Sequence, residues 1–186
     1  GGWNSFSTPV TLADEADTWS ELLALVHDSD FSILRVQCFN SETQQWVLVV
    51  INNTLVNAAY NSIEPGEGFF IQVSTKGSLP ILCSTNAENP PMTYLSAGWN
   101  LVSLSNLTSI PVADALSGVS YSIALSAAPP NSEAWSFIPS TTSDKKMLLG
   151  EAYWVSMSEP GILFGFTTTP VAPDMTWDLN HFTVIT

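Results

Sequence analysis

Short runs of apolar and β-branched residues alternate with turn-forming residues along the whole chain, and this pattern predicts a mainly β protein. The clearest breaks between runs lie at residues 65–68, 76–77 and 159–161, where Gly and Pro are concentrated. Strands this short and this frequent are typical of a small β-sandwich or a partly open barrel. The predicted strands cover residues 3–8, 31–39, 45–51, 68–74, 80–83, 100–105, 120–125, 133–138, 152–158 and 162–167.

Two stretches have helical signals instead. Thr18-Trp19-Ser20-Glu21 is a capping box in front of an aliphatic run, so it predicts a helix that continues to about residue 26. Ser109 is a candidate cap for a shorter helix over residues 110–116, which Gly118 ends. The pattern therefore predicts one short helix in each half of the chain.

The same motifs occur twice. Gly-Trp-Asn-x-x-Ser stands at residues 2–7 and again at 98–103, and Gly-Glu-x-aromatic-aromatic stands at 66–70 and 150–154. Trp46 and Trp135 are matched in the same way. The repetition predicts two tandem homologous β-sandwich or partly open barrel modules, at residues 1–85 and 98–172, joined by a Pro-containing linker at 86–97.

A C-terminal extra strand follows the second module, at residues 173–186. Trp177 matches Tyr94, and the residues after it resemble the start of a third repeat. A lone strand needs a sheet to join, so we expect it to pair with a neighbouring subunit, the alternative being its own chain. The predicted subunit-contact residues are Trp177, Leu179, Phe182, Val184 and Ile185.

The two cysteines, Cys38 and Cys83, both lie in the first module, and the second module has neither counterpart. Joint absence favours a Cys38–Cys83 disulfide, which indicates an oxidising compartment. The alternative is a pair of buried thiols.

The charge balance excludes several classes of partner. The chain has 17 acidic and four basic residues, with a net charge of −13. Binding to nucleic acid requires clustered Lys and Arg, so we expect none. No apolar run reaches the ~20 residues of a membrane-spanning helix, so no membrane insertion is expected. Asn52 and Asn106 begin Asn-x-Thr sequons and are the predicted glycosylation sites.

The repeated motifs resemble a β-module found in secreted and cell-surface proteins of bacteria and archaea, some of them associated with surface layers. The resemblance implies an extracellular location, a structural or adhesive role and no catalytic residues. We therefore expect a cell-surface filament, pilus or surface-layer subunit, a homopolymer assembled from copies of this chain by strand addition.

The alternative is a secreted carbohydrate-binding or adhesive module with glycans as partners. Trp3, Trp99, Trp46 and Trp135 recur in both halves and are expected in the core, whereas Trp19 has no aromatic counterpart and is the candidate for stacking on sugar. His27 and His181 are far apart, so neither a metal nor another cofactor is expected. No Gly-x-Ser-x-Gly elbow occurs, and enzyme activity is not expected.

Overall fold

The predicted mainly β character is confirmed. The computed structural model describes residues 2–26, 32–126, 136–139, 144–166, 168–169 and 175–178, with backbone alone at residues 80 and 175–178. The strands of the first half, in chain order, are β1 (Gly2–Phe6), β2 (Ile33–Asn40), β3 (Gln45–Ile51), β4 (Thr54–Leu55), β5 (Phe69–Val73) and β6 (Ser78–Ile81).

The second half continues the pattern. Its strands are β7 (Met92–Leu95), β8 (Gly98–Ser103), β9 (Ile110–Pro111), β10 (Tyr121–Ser126), β11 (Ser136–Phe137), β12 (Lys146–Met147), β13 (Ala152–Met157), β14 (Gly161–Phe164) and β15 (Met175–Asp178). Two α-helices lie within the described residues, α1 (Trp19–Val26) and α2 (Val112–Ala115). Neither of them is long and apolar enough to cross a bilayer.

The two larger sheets have the same strand order. One runs β1-β5-β2-β3-β4 and the other β8-β13-β10-β11, with every neighbouring pair antiparallel. Their registers also agree, since Gly2 pairs with Val73 where Gly98 pairs with Met157. Positions that match in the sequence therefore occupy matching places in the two sheets.

Helix α1 begins as its capping box predicts. The Glu21 amide donates to Thr18 Oγ1 at 3.3 Å, and the Thr18 hydroxyl donates to the Glu21 carboxylate. The expected Ser109 cap is wrong, because α2 begins two residues later with Pro111 at its N-cap and no side-chain cap. Proline has a fixed φ suited to a helix start, so α2 forms without a hydroxyl cap.

Each half buries one face of its sheet. In the first half Trp19 of α1 is fully buried, with its ring 5.7 Å from Phe6 and 5.1 Å from Phe69. The second half has a separate core around Leu116, Tyr153 and Val155. The chain thus has one hydrophobic core per repeat, each covered by a short helix.

The opposite faces of the two sheets pack against each other. Phe70, Leu101 and Ala152 are buried there, and Trp3, Phe39 and Trp154 pack around them. Residue alternation along the strands explains this arrangement, because Phe69 faces the first core while Phe70 faces the second half. We call this contact the inter-sheet interface.

The contacts across the inter-sheet interface are reciprocal. The Gly68 amide donates to the Leu101 carbonyl at 3.2 Å, and the Ser103 amide donates to the Gly66 carbonyl at 2.9 Å. On the other side, the Ser7 hydroxyl, which matches Ser103, donates to the Glu151 carbonyl at 3.2 Å. Strand β8 and the residue after β1 therefore each contact the Gly-Glu turn of the other half.

The interface changes the role expected for the repeated tryptophans. Trp46 was expected in the core, and this is wrong, because 49% of its surface is exposed. Trp3 and Trp99 are only partly buried, and they lie in or beside the interface rather than in either core. The ring centroids of Trp46 and Trp154 lie 5.4 Å apart across it. Trp135 lies outside the described residues.

The predicted linker is part of a sheet. Strand β7, within residues 86–97, pairs with β14, so this segment belongs to the second half. Strand β15 of the tail pairs with β6 in the same chain, with Trp177 opposite Leu79. The described part of the tail thus follows the alternative in which it pairs within its own chain. Leu179, Phe182, Val184 and Ile185 lie outside the described residues.

The expected disulfide is wrong. Cys38 and Cys83 are both buried thiols. Cys38 lies in the middle of the sheet opposite Val47 and Phe69, whereas Cys83 bridges to Leu12. The two thiols also line different cavities, which explains why they are not joined.

We predict that the inter-sheet interface tolerates no added atom at Gly68. A Cβ there would lie 2.8 Å from Ala152 Cβ and 2.8 Å from Leu101 Cγ, so Gly68→Ala should lower the free energy of unfolding by about 1–3 kcal/mol. Gly118→Ala is the control, since nothing lies within 4 Å of its added Cβ. Urea denaturation of both variants checks this, and equal stabilities would contradict the packing described.

Candidate functional site

A cavity lies where the two halves meet. It has a volume of about 270 Å³, slightly below the ~300–1,000 Å³ of most small-molecule pockets. Its walls come from the end of β2, the turn before β5, strand β7 and strand β8. We call it the inter-half cleft, and its size suits a small ligand or one unit of a longer one.

Two carboxylates from one turn, Glu64 and Glu67, line the cleft. The Glu67 amide donates to the Glu64 carbonyl at 3.3 Å, which places both residues on the same wall. Although Glu67 reaches the surface, protein atoms around its carboxyl group remove much of its water. This desolvation, with a smaller contribution from the Glu64 charge, raises the pKa of Glu67 to about 7.

The repeat shows why Glu67 differs from its counterpart. Glu151 stands at the matching place in the second half and accepts a hydrogen bond from the Ser5 hydroxyl at 2.9 Å. The residue that matches Ser5 is Leu101, which is buried and has no hydroxyl to donate. One Glu is therefore tied into the inter-sheet interface, while the other lines the cleft.

Aromatic side chains form much of the remaining lining. Tyr94 on β7 is 74% exposed at the mouth of the cleft, and Phe39 and Tyr60 also line it. Asn40 Nδ2 donates to the Tyr60 hydroxyl at 2.6 Å, which holds that ring in place. An exposed ring beside polar groups suits a ligand with one apolar face and a polar edge.

The charge of the cleft has one sign. All four basic residues, Arg35, Lys76, Lys145 and Lys146, lie in the described part of the chain, and none of them lines the cleft. The cleft therefore offers anionic and aromatic groups without a neighbouring side-chain cation.

Other residues limit the chemistry of the cleft. Burial, and to a smaller extent the Glu67 charge, raises the pKa of the Cys38 thiol to about 12, so the reactive thiolate is disfavoured. Among the described residues no three His, Cys, Asp or Glu side chains come together as a metal site. His27 and His181 lie outside the described residues.

The site residues predicted from sequence have mixed outcomes. Trp19 as a sugar-stacking residue is wrong, because it is 0% exposed and packs in the first core. Asn52 lies exposed in the turn between β3 and β4, Asn106 is partly exposed, and their glycosylation stays a prediction. The backbone of Trp177 lies in β15, opposite Leu79.

Sequence reasoning did not select Glu67 or Tyr94 as site residues. Tyr94 carried one usable signal, since it matches Trp177 in the repeated Met-Thr-aromatic segment and stands next to the second module. For Glu67 the signal was Leu101, which has no hydroxyl at the position that matches Ser5. This difference matters only once Ser5 and Leu101 are known to face the matching Gly-Glu turns.

Stability should depend on pH through Glu67. Its pKa is raised in the folded chain from an ordinary value of 4.5 to about 7, so folding favours the protonated form. The stability from this group is fully present below about pH 4.5 and is lost as the pH rises through 7. Glu67→Gln should therefore gain in melting temperature over the wild type between pH 5 and 8.

Thermal unfolding at several pH values measures this difference. Glu159→Gln, an exposed carboxyl outside the cleft, controls for the reduced net charge of the variant. Parallel curves for the wild type and Glu67→Gln would show that the carboxyl group titrates in the same way in the folded and unfolded chains.

Comparison with known proteins gives no match: no family model, no curated protein and no solved structure is significantly similar to this chain.

Proposed function

We propose that this chain is an extracellular, non-enzymatic adhesive protein whose inter-half cleft binds carbohydrate. The observation that carries the proposal is Tyr94, an aromatic ring 74% exposed at the mouth of a cleft lined by carboxylates. Sugars have an apolar face and hydroxyl edges, so a ring and carboxylate acceptors are complementary to them.

The location and the origin of the fold belong to the same proposal. The chain has only four basic residues, and this scarcity supports an extracellular location, where such low-charge surfaces are expected. The shared strand order and register of the two large sheets support two tandem homologous modules that arose by duplication. The resemblance of the motifs to cell-surface β-modules points in the same direction.

The arrangement of the carboxylates favours binding over catalysis. Glycoside hydrolysis needs two carboxyl groups that flank the scissile bond, about 5–10 Å apart. Glu64 and Glu67 come from one turn and one wall of the cleft. We therefore propose that a bound sugar is held from one side and leaves unchanged.

Removal of the Tyr94 ring should weaken sugar binding. Tyr94→Ala should reduce affinity about tenfold on a glycan array followed by calorimetry with the strongest glycan, because exposed aromatic anchors dominate small interfaces. Phe164→Ala is the matched control, an aromatic that is 57% exposed on the neighbouring strand but does not line the cleft. Unchanged affinity in Tyr94→Ala, or hydrolysis of the glycan, would contradict the proposal.

A second candidate is assembly into a homopolymer, with the tail of one copy joining the next. A specific observation favours it: the tail carries a strand, β15, that pairs with β6 over four residues, so β6 is an acceptor to which a tail can bind.

Strand exchange would use the same pairing. The main-chain bonds between β6 and β15 are the same whether β15 comes from its own chain or from a neighbour, so exchange loses no contact. Contact between a tail and a distant acceptor is heterologous and propagates into rings or filaments.

This candidate predicts that the concentrated protein forms ordered polymers visible by electron microscopy. A wild-type chain that remains monomeric at high concentration rules assembly out.

A further inference from the structure

We propose that the inter-half cleft recognises a sugar that carries a protonated amine. This inference rests on the proposed function and specifies the ligand class of the same site. It follows from a cavity whose lining combines aromatic rings with carboxylates and has no basic side chain. A neutral sugar does not need these negative charges.

The lining of the cleft is complementary to an organic cation. Glu64 and Glu67 supply two carboxylates from one wall, and Phe39, Tyr60 and Tyr94 supply aromatic rings. Ammonium groups bind at the faces of aromatic rings and donate hydrogen bonds to nearby carboxylates, so this combination favours a cation over a neutral group. No Lys or Arg lines the cleft to compete for the two acids.

The repeat identifies these carboxylates as a departure from the structural pattern. Glu151, at the matching turn, is occupied by the Ser5 hydroxyl at 2.9 Å and serves the contact between the halves. Leu101 replaces that hydroxyl in front of Glu67. The second sheet therefore leaves Glu67 available to a ligand instead of binding it internally.

The ionisation of Glu67 adds a signature that a neutral ligand lacks. With its pKa raised to about 7, the carboxyl group is about half protonated in the free protein near neutral pH. A bound ammonium group favours the carboxylate, so binding should expel protons. The other titratable groups of the cleft are Glu64, Cys38, Tyr60 and Tyr94, and Glu67 also contributes to the high pKa of Cys38.

Calorimetry with three oligosaccharides of equal length tests the inference on the full chain. The probes are a glucosamine oligomer with free amines, its N-acetylated form and a glucose oligomer. Near pH 5.5, where the amines of the free oligomer are already protonated, the free-amine oligomer should bind at least about tenfold more tightly than the other two, the effect of one charge-assisted contact. Titration in two buffers of different ionisation enthalpy should show proton release with this probe alone.

Two variants separate the cleft from the overall charge. Glu67→Gln should abolish both the preference for the amine and the proton release. Glu159→Gln removes the same charge from an exposed position outside the cleft and should change neither. Melting temperatures of both variants establish that each is folded under the conditions of the titration.

Each outcome decides between the two proposals. Equal binding of all three oligomers, unaffected by Glu67→Gln but weakened by Tyr94→Ala, overturns the amine inference and leaves carbohydrate binding standing. No binding by any of them, together with a negative glycan array, overturns both. If Glu159→Gln removes the preference for the amine as fully as Glu67→Gln does, the amine is attracted by the net charge of the chain. That outcome also overturns the inference.

Discussion

The close approach of two small residues, Gly68 and Ala152, is the constraint on which the rest of the structure depends. A Cβ on Gly68 would lie 2.8 Å from that of Ala152, so the two sheets meet here with no room to spare. Because these positions match in the repeat, each half presents a small residue to the other at the same position. The aromatic rings of Phe70 and Trp154, two residues further on, pack around this point and bury the interface.

The repeated motifs acquire a physical meaning from this contact. In the Gly-Glu turns, Gly66 and Gly150 have positive φ angles of 92° and 74°, a conformation that glycine adopts without strain. The small residue after each Glu allows the sheets to approach, and the two aromatics that follow divide between a core and the interface. The motifs are thus requirements of the contact between halves as much as of each half.

The cleft arises where the two halves stop being equivalent. A hydroxyl at Ser5 binds Glu151, and its replacement by Leu101 leaves Glu67 with a desolvated carboxyl group and a raised pKa. Strand pairing also joins the halves, because β15, which follows the second half, pairs with β6 of the first half. Residues far apart in sequence are therefore held together, so we expect the halves to unfold as one cooperative unit.

The sequence by itself determined the local features of this protein: its β character, its capping box at Thr18, its repeated motifs and its deficit of basic residues. Strand periodicity and turn chemistry act over a few residues, so they can be read directly from the chain. Tertiary structure alone decided that Trp19 is core and Trp46 half-exposed, that the cysteines are apart, and that β15 pairs with β6. Those outcomes depend on which faces of distant strands meet. Leu101 likewise meets the turn of Glu67 only in the folded chain, and no local pattern specifies that contact.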